Sequence, residues 1–282
     1  MIVQSTRLPD EPHLVLTMEQ HTATAGTLAQ HFGGVGPFAP LEPRDLLLGL
    51  VREHDRGWAE VDAAAPRDPS TDLPWSVYQT PTSVSIGTGP RSIDHNERCH
   101  PYRGLLASMH IHGLFTGRYG LDQTRILDLV DEPSRALLEP MLAAETERQA
   151  RLRRQLTADP ATAPWLADAA LLHSYKALQT FDALALWLQV THPAGRRPTV
   201  LRHVPTTGGA HVAVAVTPRS EDRIVLDPYP FDTDPLELVI EGRWLRPQPS
   251  GADLAAALAA APPGRQPVTL CSAATAGSAA AA

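Results

Sequence analysis

The chain is poor in several residue types, and each shortage excludes something. It holds two cysteines, Cys99 and Cys271, far apart in sequence. That rules out a disulfide-built scaffold and a four-cysteine zinc site. It has a single lysine, Lys176, so the other basic side chains are arginines, and the formal net charge is -7. With no basic stripe, the counterion-displacing surface of a nucleic-acid binder is missing. No apolar run approaches the roughly 18 residues of a membrane span. The opening MIVQSTRLPDEPH lacks the charged head and apolar stretch of a leader. A soluble, cytoplasmic protein acting on a small molecule is expected, with neither nucleic acid nor membrane as partner, and a homo-oligomer is compatible with this.

What is plentiful is hydrophobic residue, at 43% of 282 positions, and histidine, with twelve. The first can bury a sizeable core. Periodicity then divides the chain into an α-helical portion over 1–192 and a β-rich portion over 193–282 packed on it, an α+β arrangement. Thr17 with Gln20 has capping-box spacing and predicts a helix running to the glycines at 33 and 34. Leu46, Leu47, Leu50, Val51 and Trp58 follow helical spacing, which carries a second helix through the stretch LLLGLVREHDRGWAEVD. Residues 66–101 are rich in Pro, Gly, Ser and Asp and read as a long ordered loop or lid bearing Arg91, His95, Arg98 and His100. Helices return in YRGLLASMHIHGLF, over 134–156, and in PWLADAALLHSYKALQTFDALALWLQV. From Thr199 the segments TVLRHV, HVAVAV, RIVLDPY and LELVIEGRWL predict a small, mostly antiparallel sheet. GADLAAALAAAPP predicts a short helix, followed by a frayed tail.

Helical phase sorts the histidines. His21 shares a face with Thr17, Thr24, Ala25 and Leu28, and His110 shares one with Leu106, Met109 and Leu114. His54 lies four residues from both Leu50 and Trp58, so it points inward beside Asp55. His112 is about 200° round the helix from His110 and is expected outside any site. Asp182 sits among Leu178, Leu186 and Trp187, where an uncompensated carboxylate is costly. Tyr175, seven residues earlier, is nearly in line with Asp182 and is the better neighbour than His173. A lone inward histidine is ordinary in a core; a carboxylate on an apolar face must be paired or protonated. If His21, His54, Asp55, His110 and Asp182 converge, three imidazoles and two carboxylates suit a divalent ion such as iron, manganese or zinc. Arg52 and Arg56 flank the His54–Asp55 pair, and Arg56 is a candidate for the mouth of the site.

The order His21, then His54–Asp55, then Asp182, with Gly57 two residues after the pair, resembles the H…HD…D pattern of the HD-domain metalloenzymes. More closely, MIV at the start, QH at 20, HDRGW at 54, SMH at 108, D-x-L-x-L from 182 and LDPYPF at 226 resemble the bacterial family called domain of unknown function 3891. The HD resemblance implies a helical bundle in which His21, His54, Asp55 and Asp182 hold the metal. Asp55 would bridge if two ions bind, with His110 serving the second. Dinuclear members supply two further histidines, and here His112, His173, a water or Glu145 would fill the remaining place. One or two divalent ions, iron or manganese first, are the expected cofactor. Three readings stay open: a hydrolase attacking a phosphorylated small molecule with an activated water, an HD-type diiron oxygenase, and a non-catalytic ligand binder. The hydrolase would need arginine at the site, from Arg52, Arg56, Arg91 or Arg103, because Lys176 is out of phase with Asp182.

Overall fold

The computed structural model describes residues 1–119 and 125–279. Two short strands, β1 (Ile2–Val3) and β2 (His13–Leu16), lead into helix α1 (Met18–His31). The capping box is made: the Gln20 amide donates to the Thr17 hydroxyl at 3.2 Å, and the Thr17 amide donates to the Gln20 side-chain oxygen at 2.9 Å. Gly33, at φ 85°, lies just past the helix in a conformation that only glycine adopts cheaply.

Helix α2 (Arg44–Glu53) turns Leu47, Leu50 and Val51 to the core, but it stops before the histidine. The expected continuation through Trp58 is broken: Asp55 leaves the helical region at φ -108°, ψ 20°, and a tight turn covers Arg56–Trp58 before α3 (Ala59–Ala64). The cause lies at Gly57, where a Cβ would stand 2.0 Å from the Thr88 carbonyl oxygen and 2.6 Å from the Ser92 nitrogen. Another helix therefore presses directly on this turn.

That helix lies in the segment read as a loop or lid, and the reading is corrected here. After a small hairpin, β3 (Arg67–Asp68) and β4 (Leu73–Pro74), come the single turn α4 (Thr82–Ser85) and helix α5 (Thr88–Cys99). The buried face of α5 consists of Thr88, Gly89, Ser92, Ile93 and Asn96. That face holds one large apolar side chain, Ile93, among small and polar ones, so the apolar run that marks the other helices is missing. Gly57 N donates to Ser92 Oγ at 2.9 Å and Arg91 Nε donates to the Gly57 carbonyl at 3.1 Å, which fix α5 in register on the turn.

Helices α6 (Pro101–Thr116), α7 (Glu132–Thr157) and α8 (Asp168–Val190) follow as expected. α8 is the axis of the molecule, packing on α1, α2, α6 and the first strand of the C-terminal region. Its Phe181 is fully buried and meets Phe32 edge-to-face at 5.2 Å. Burial of an aromatic of this kind contributes roughly 1.5–3 kcal/mol.

The sheet is larger than the four strands predicted. It comprises seven strands in the order β1-β2-β8-β9-β7-β6-β5, with β5 (Thr199–Pro205), β6 (His211–Pro218), β7 (Arg223–Asp227), β8 (Leu236–Leu245) and β9 (Pro263–Cys271) joining the two N-terminal strands. Only the β7–β9 pairing is parallel. Along β8, Leu236, Leu238, Ile240 and Gly242 are buried and the residues between them exposed, so one face covers the core. Helix α9 (Leu254–Ala260) precedes β9, and α10 (Ala273–Ala279) takes up part of the tail read as frayed, whose last residues lie outside the described ones. No helix among the described residues is long and apolar enough to cross a membrane.

Gly57→Ala should therefore destabilise the protein by about 2–4 kcal/mol in urea unfolding, because the clash is with backbone that cannot swing aside. Gly195→Ala, whose Cβ would lie 3.3 Å from Thr191 Cγ2, should cost less than about 1 kcal/mol. Equal midpoints for the two variants would contradict the packing of α5 on the turn.

Candidate metal centre

Four helical segments bring the predicted residues together. α1 contributes His21, the end of α2 contributes His54 and Asp55, α6 contributes His110 and α8 contributes Asp182. The imidazoles are buried, and the two carboxylates nearly so, with Asp182 and Asp55 side chains 9% and 11% exposed. His21 Nε2 lies 3.0 Å from Asp182 Oδ1, and His54 Nε2 lies 3.4 Å from Asp55 Oδ2 and 3.6 Å from Asp182 Oδ1. His110 Nε2 is 4.0 Å from Asp182 Oδ2. Two triads result, His21–His54–Asp55 and His54–His110–Asp182, each with ligand atoms within 4.8 Å of one another. Atoms bound to one ion at about 2 Å sit about 3–4 Å apart, so these groups could hold a metal ion.

The far side of each ring supports this. His54 Nδ1 donates to the Val51 carbonyl at 2.8 Å, and His21 Nδ1 faces the Gln189 side-chain oxygen at 2.8 Å. With Nδ1–H used in this way, Nε2 is directed inward as a lone pair or as the second N–H of an imidazolium. Rings that bind metals are commonly fixed by the same kind of contact. His54 Nε2 is fully buried and makes no hydrogen bond. Such an atom is costly unless something else satisfies it. Gln179 Nε2 lies 2.9 Å from His110 Nδ1, and Gln189 also donates to Thr24 Oγ1 at 2.9 Å.

Electrostatics within the cluster are strong. Burial pushes the Asp182 carboxyl up, but the hydrogen bond from His21 and the close approach of His54 outweigh it and hold the group well below the usual carboxylate range. Burial lowers His54, yet the charges of Asp55 and Asp182 prevail and raise it to about 9. His110 is lowered, chiefly by burial, with Asp182 opposing.

The remaining candidates are placed elsewhere. His112 lies outside the cluster as expected, its ring nitrogens 3.0 and 3.2 Å from Thr116 Oγ1 and Thr146 Oγ1. Glu145 pairs with Arg148 at 3.1 Å, and His173 bonds to the backbone of Thr206; neither belongs to a triad. The Tyr175 ring packs on Tyr119 at 4.9 Å, and its hydroxyl fills the space where a Cβ on Gly113 would stand. Gly113 is one turn along α6 from His110. Arg103 donates to Asn96 at 2.8 Å, Arg91 is 3.8 Å from Glu60, and Arg56 is 3.9 Å from Glu19. No arginine pairs with Asp55 or Asp182 among the described residues. The reading of the sequence missed Gln189 and Gln179. Gln189 lies seven residues from Asp182 and Gln179 three, so helical phase could have found both.

A cleft of about 560 Å³ between α1 and the α2–α3 turn opens on Asp55 and is also lined by Glu19, Arg52, Arg56 and Asp62. Asp55 is the one member of the cluster that lines it. The site is thus a deep imidazole–carboxylate cluster with one carboxylate at its door. Residues 1–247 match the family described as Protein of unknown function (DUF3891), and the chain belongs to that family. No curated protein and no solved structure matches the chain.

Asp55→Ala should reduce iron or manganese content to under about a tenth of wild type while leaving the circular dichroism spectrum unchanged, since a core of this size does not depend on a metal to fold. Full metal stoichiometry in that variant would remove Asp55 from the ligand set. The metal-free protein should also lose stability as pH rises. The His54 pKa is raised on folding, so its contribution is fully present below its unfolded value near 6.5 and is lost as pH passes about 9. A urea midpoint that stays level or climbs between these values would refute this.

Proposed function

We propose that the protein is a metal-dependent hydrolase of the HD-domain type, acting on a small, phosphorylated molecule. The observation that carries this reading is His54 Nε2, buried without a hydrogen-bond partner between two carboxylates and two further imidazoles. The order His21 on α1, His54–Asp55 at the end of α2 and Asp182 on α8 supports the HD assignment. A divalent ion, iron or manganese, would supply Lewis acidity and bring the pKa of a bound water towards neutral.

The chain's own residues divide the remaining work. His21, His54 and Asp182 form a rigid, dry floor. Asp55, at the door, is placed for a carboxylate oxygen to accept the proton of the attacking water and to orient it. Arg56 lines the same cleft, is half-exposed and is held only loosely by Glu19. It is therefore free to donate two N–H bonds to the non-bridging oxygens of the phosphoryl group. Tyr175 is a positioning residue, bracing the turn of α6 beyond His110.

A second reading, an HD-type diiron oxygenase, is favoured by one feature: three imidazoles and two carboxylates converge, more donors than a four-coordinate ion takes. A panel of p-nitrophenyl phosphate and bis(p-nitrophenyl) phosphate, run anaerobically with manganese and with ferrous iron, separates the two. Nitrophenolate release without oxygen, lost in Asp55→Ala and reduced by about 10²-fold or more in Arg56→Gln, is the expected result. No release with any metal, together with oxygen uptake by the reduced iron-loaded protein, would overturn hydrolysis in favour of the oxygenase.

A further inference from the structure

The cleft at Asp55 does not end at Arg56. Arg56 and Ala59 also line a second concavity of about 260 Å³, whose far wall is the outer face of α5, including Arg91, His95 and Arg98. Those three lie at i, i+4 and i+7, one stripe of the helix. The two spaces adjoin at Arg56 and Ala59, with Asp55 on one side and the guanidinium groups of Arg91 and Arg98 on the other.

At the far end His95 faces Glu53 at 3.3 Å, while the guanidinium groups are only weakly compensated. Asp94 borders the concavity, but its carboxylate pairs at 2.7 Å with Arg148 on α7. Glu60 is highly exposed and reaches Arg91 only at 3.8 Å, and Glu19 reaches Arg56 only at 3.9 Å. Exposed pairs at such distances contribute little. Arg98 makes no hydrogen bond or ion pair among the described residues. Clustered guanidinium groups with unused N–H donors are suited to bind an oxyanion bidentately. The stripe is also fixed relative to the cluster. Gly57 follows Asp55 by two residues, and its amide and carbonyl are the groups bonded to Ser92 and Arg91, with no room for a side chain between. The turn that places Asp55 thus also places the arginines, so the span from one end of the groove to the other is constant.

We propose that Arg91 and Arg98 form an oxyanion subsite remote from the metal cluster, with Arg56 between the two ends, and that the substrate is an elongated molecule with two anionic groups. One group is presented to Asp55 and the other is held on α5. This rests on the proposed function insofar as the groove receives a substrate; the subsite itself binds oxyanion with or without metal.

The test uses the full chain, stripped with chelator, and inorganic pyrophosphate as probe at constant ionic strength, followed by calorimetry. Wild type should bind saturably, and Arg91→Gln/Arg98→Gln should bind at least about tenfold more weakly with metal content unchanged. Arg265→Gln, which removes a solvent-exposed partner of Glu241 on the sheet, should bind as wild type does. Because Arg91 also bonds to the Gly57 carbonyl, Arg98→Gln alone provides the variant that leaves packing intact, with an expected weakening of about threefold or more. Asp55→Ala should lose metal yet keep pyrophosphate binding, so failure of the metal reading and failure of the subsite give different results. No binding by wild type, or equal binding by wild type and both α5 variants, would overturn the subsite.

Discussion

The structure depends on one buried carboxylate. Asp182 projects from the central helix into a region that excludes water, where an isolated negative charge would be prohibitive. It is stable there because His21, His54 and His110 surround it, each arriving on a different segment. Every one of those rings is held from behind, by Gln189, by the Val51 carbonyl or by Gln179. Satisfying Asp182 therefore fixes where α1, α2 and α6 cross α8. The same convergence leaves nitrogen and oxygen atoms facing one another at 3.0–4.0 Å, with His54 Nε2 lacking any bond of its own. Electrostatic need and metal-binding capacity thus have one origin.

The second constraint is steric and sits at Gly57. Once α2 ends at Glu53, Asp55 can turn towards the cleft while its neighbour His54 remains buried. On a continuous helix the two side chains would diverge by about 100°, whereas the turn leaves Asp55 Oδ2 3.4 Å from His54 Nε2 as well as at the cleft. The backbone of α5 closes on the turn at a distance only glycine permits. A rigid wall bearing Arg91 and Arg98 is thereby placed beside a deep, dry cluster, and the groove between them is a product of packing rather than of a mobile lid.

The sheet supports this arrangement from the other side. It packs against α1 and α8, the helices carrying His21 and Asp182. A short bridge pairs Phe32, past the end of α1, with Phe231, and His31 bonds to Asp232 at 3.0 Å. The second N-terminal strand pairs with β8 from the far end of the chain, so the element leading into α1 is pinned before His21 is reached.

Much of this was legible locally. The capping box at Thr17, the inward phases of His21, His54, His110 and Asp182, and the β-branched strands after Thr199 are properties of short windows, where helical or alternating spacing reports burial directly. Gln179 and Gln189 carried the same signal and were readable from their phase with Asp182. α5 was not, because its buried face holds one Ile among Thr, Gly, Ser and Asn, chosen for close approach rather than for hydrophobicity. Nor was the break after Glu53, since Leu50 and Trp58 keep helical spacing across it. The sequence by itself determined the ligand types, their helices and their inward faces. Only the tertiary structure decided that the helix stops at the His–Asp pair, that α5 with Arg91 and Arg98 stands against the turn bearing Asp55, and that the first and last strands share a sheet. Those outcomes turn on contacts between residues distant in the chain, in which one backbone's shape decides whether another can approach.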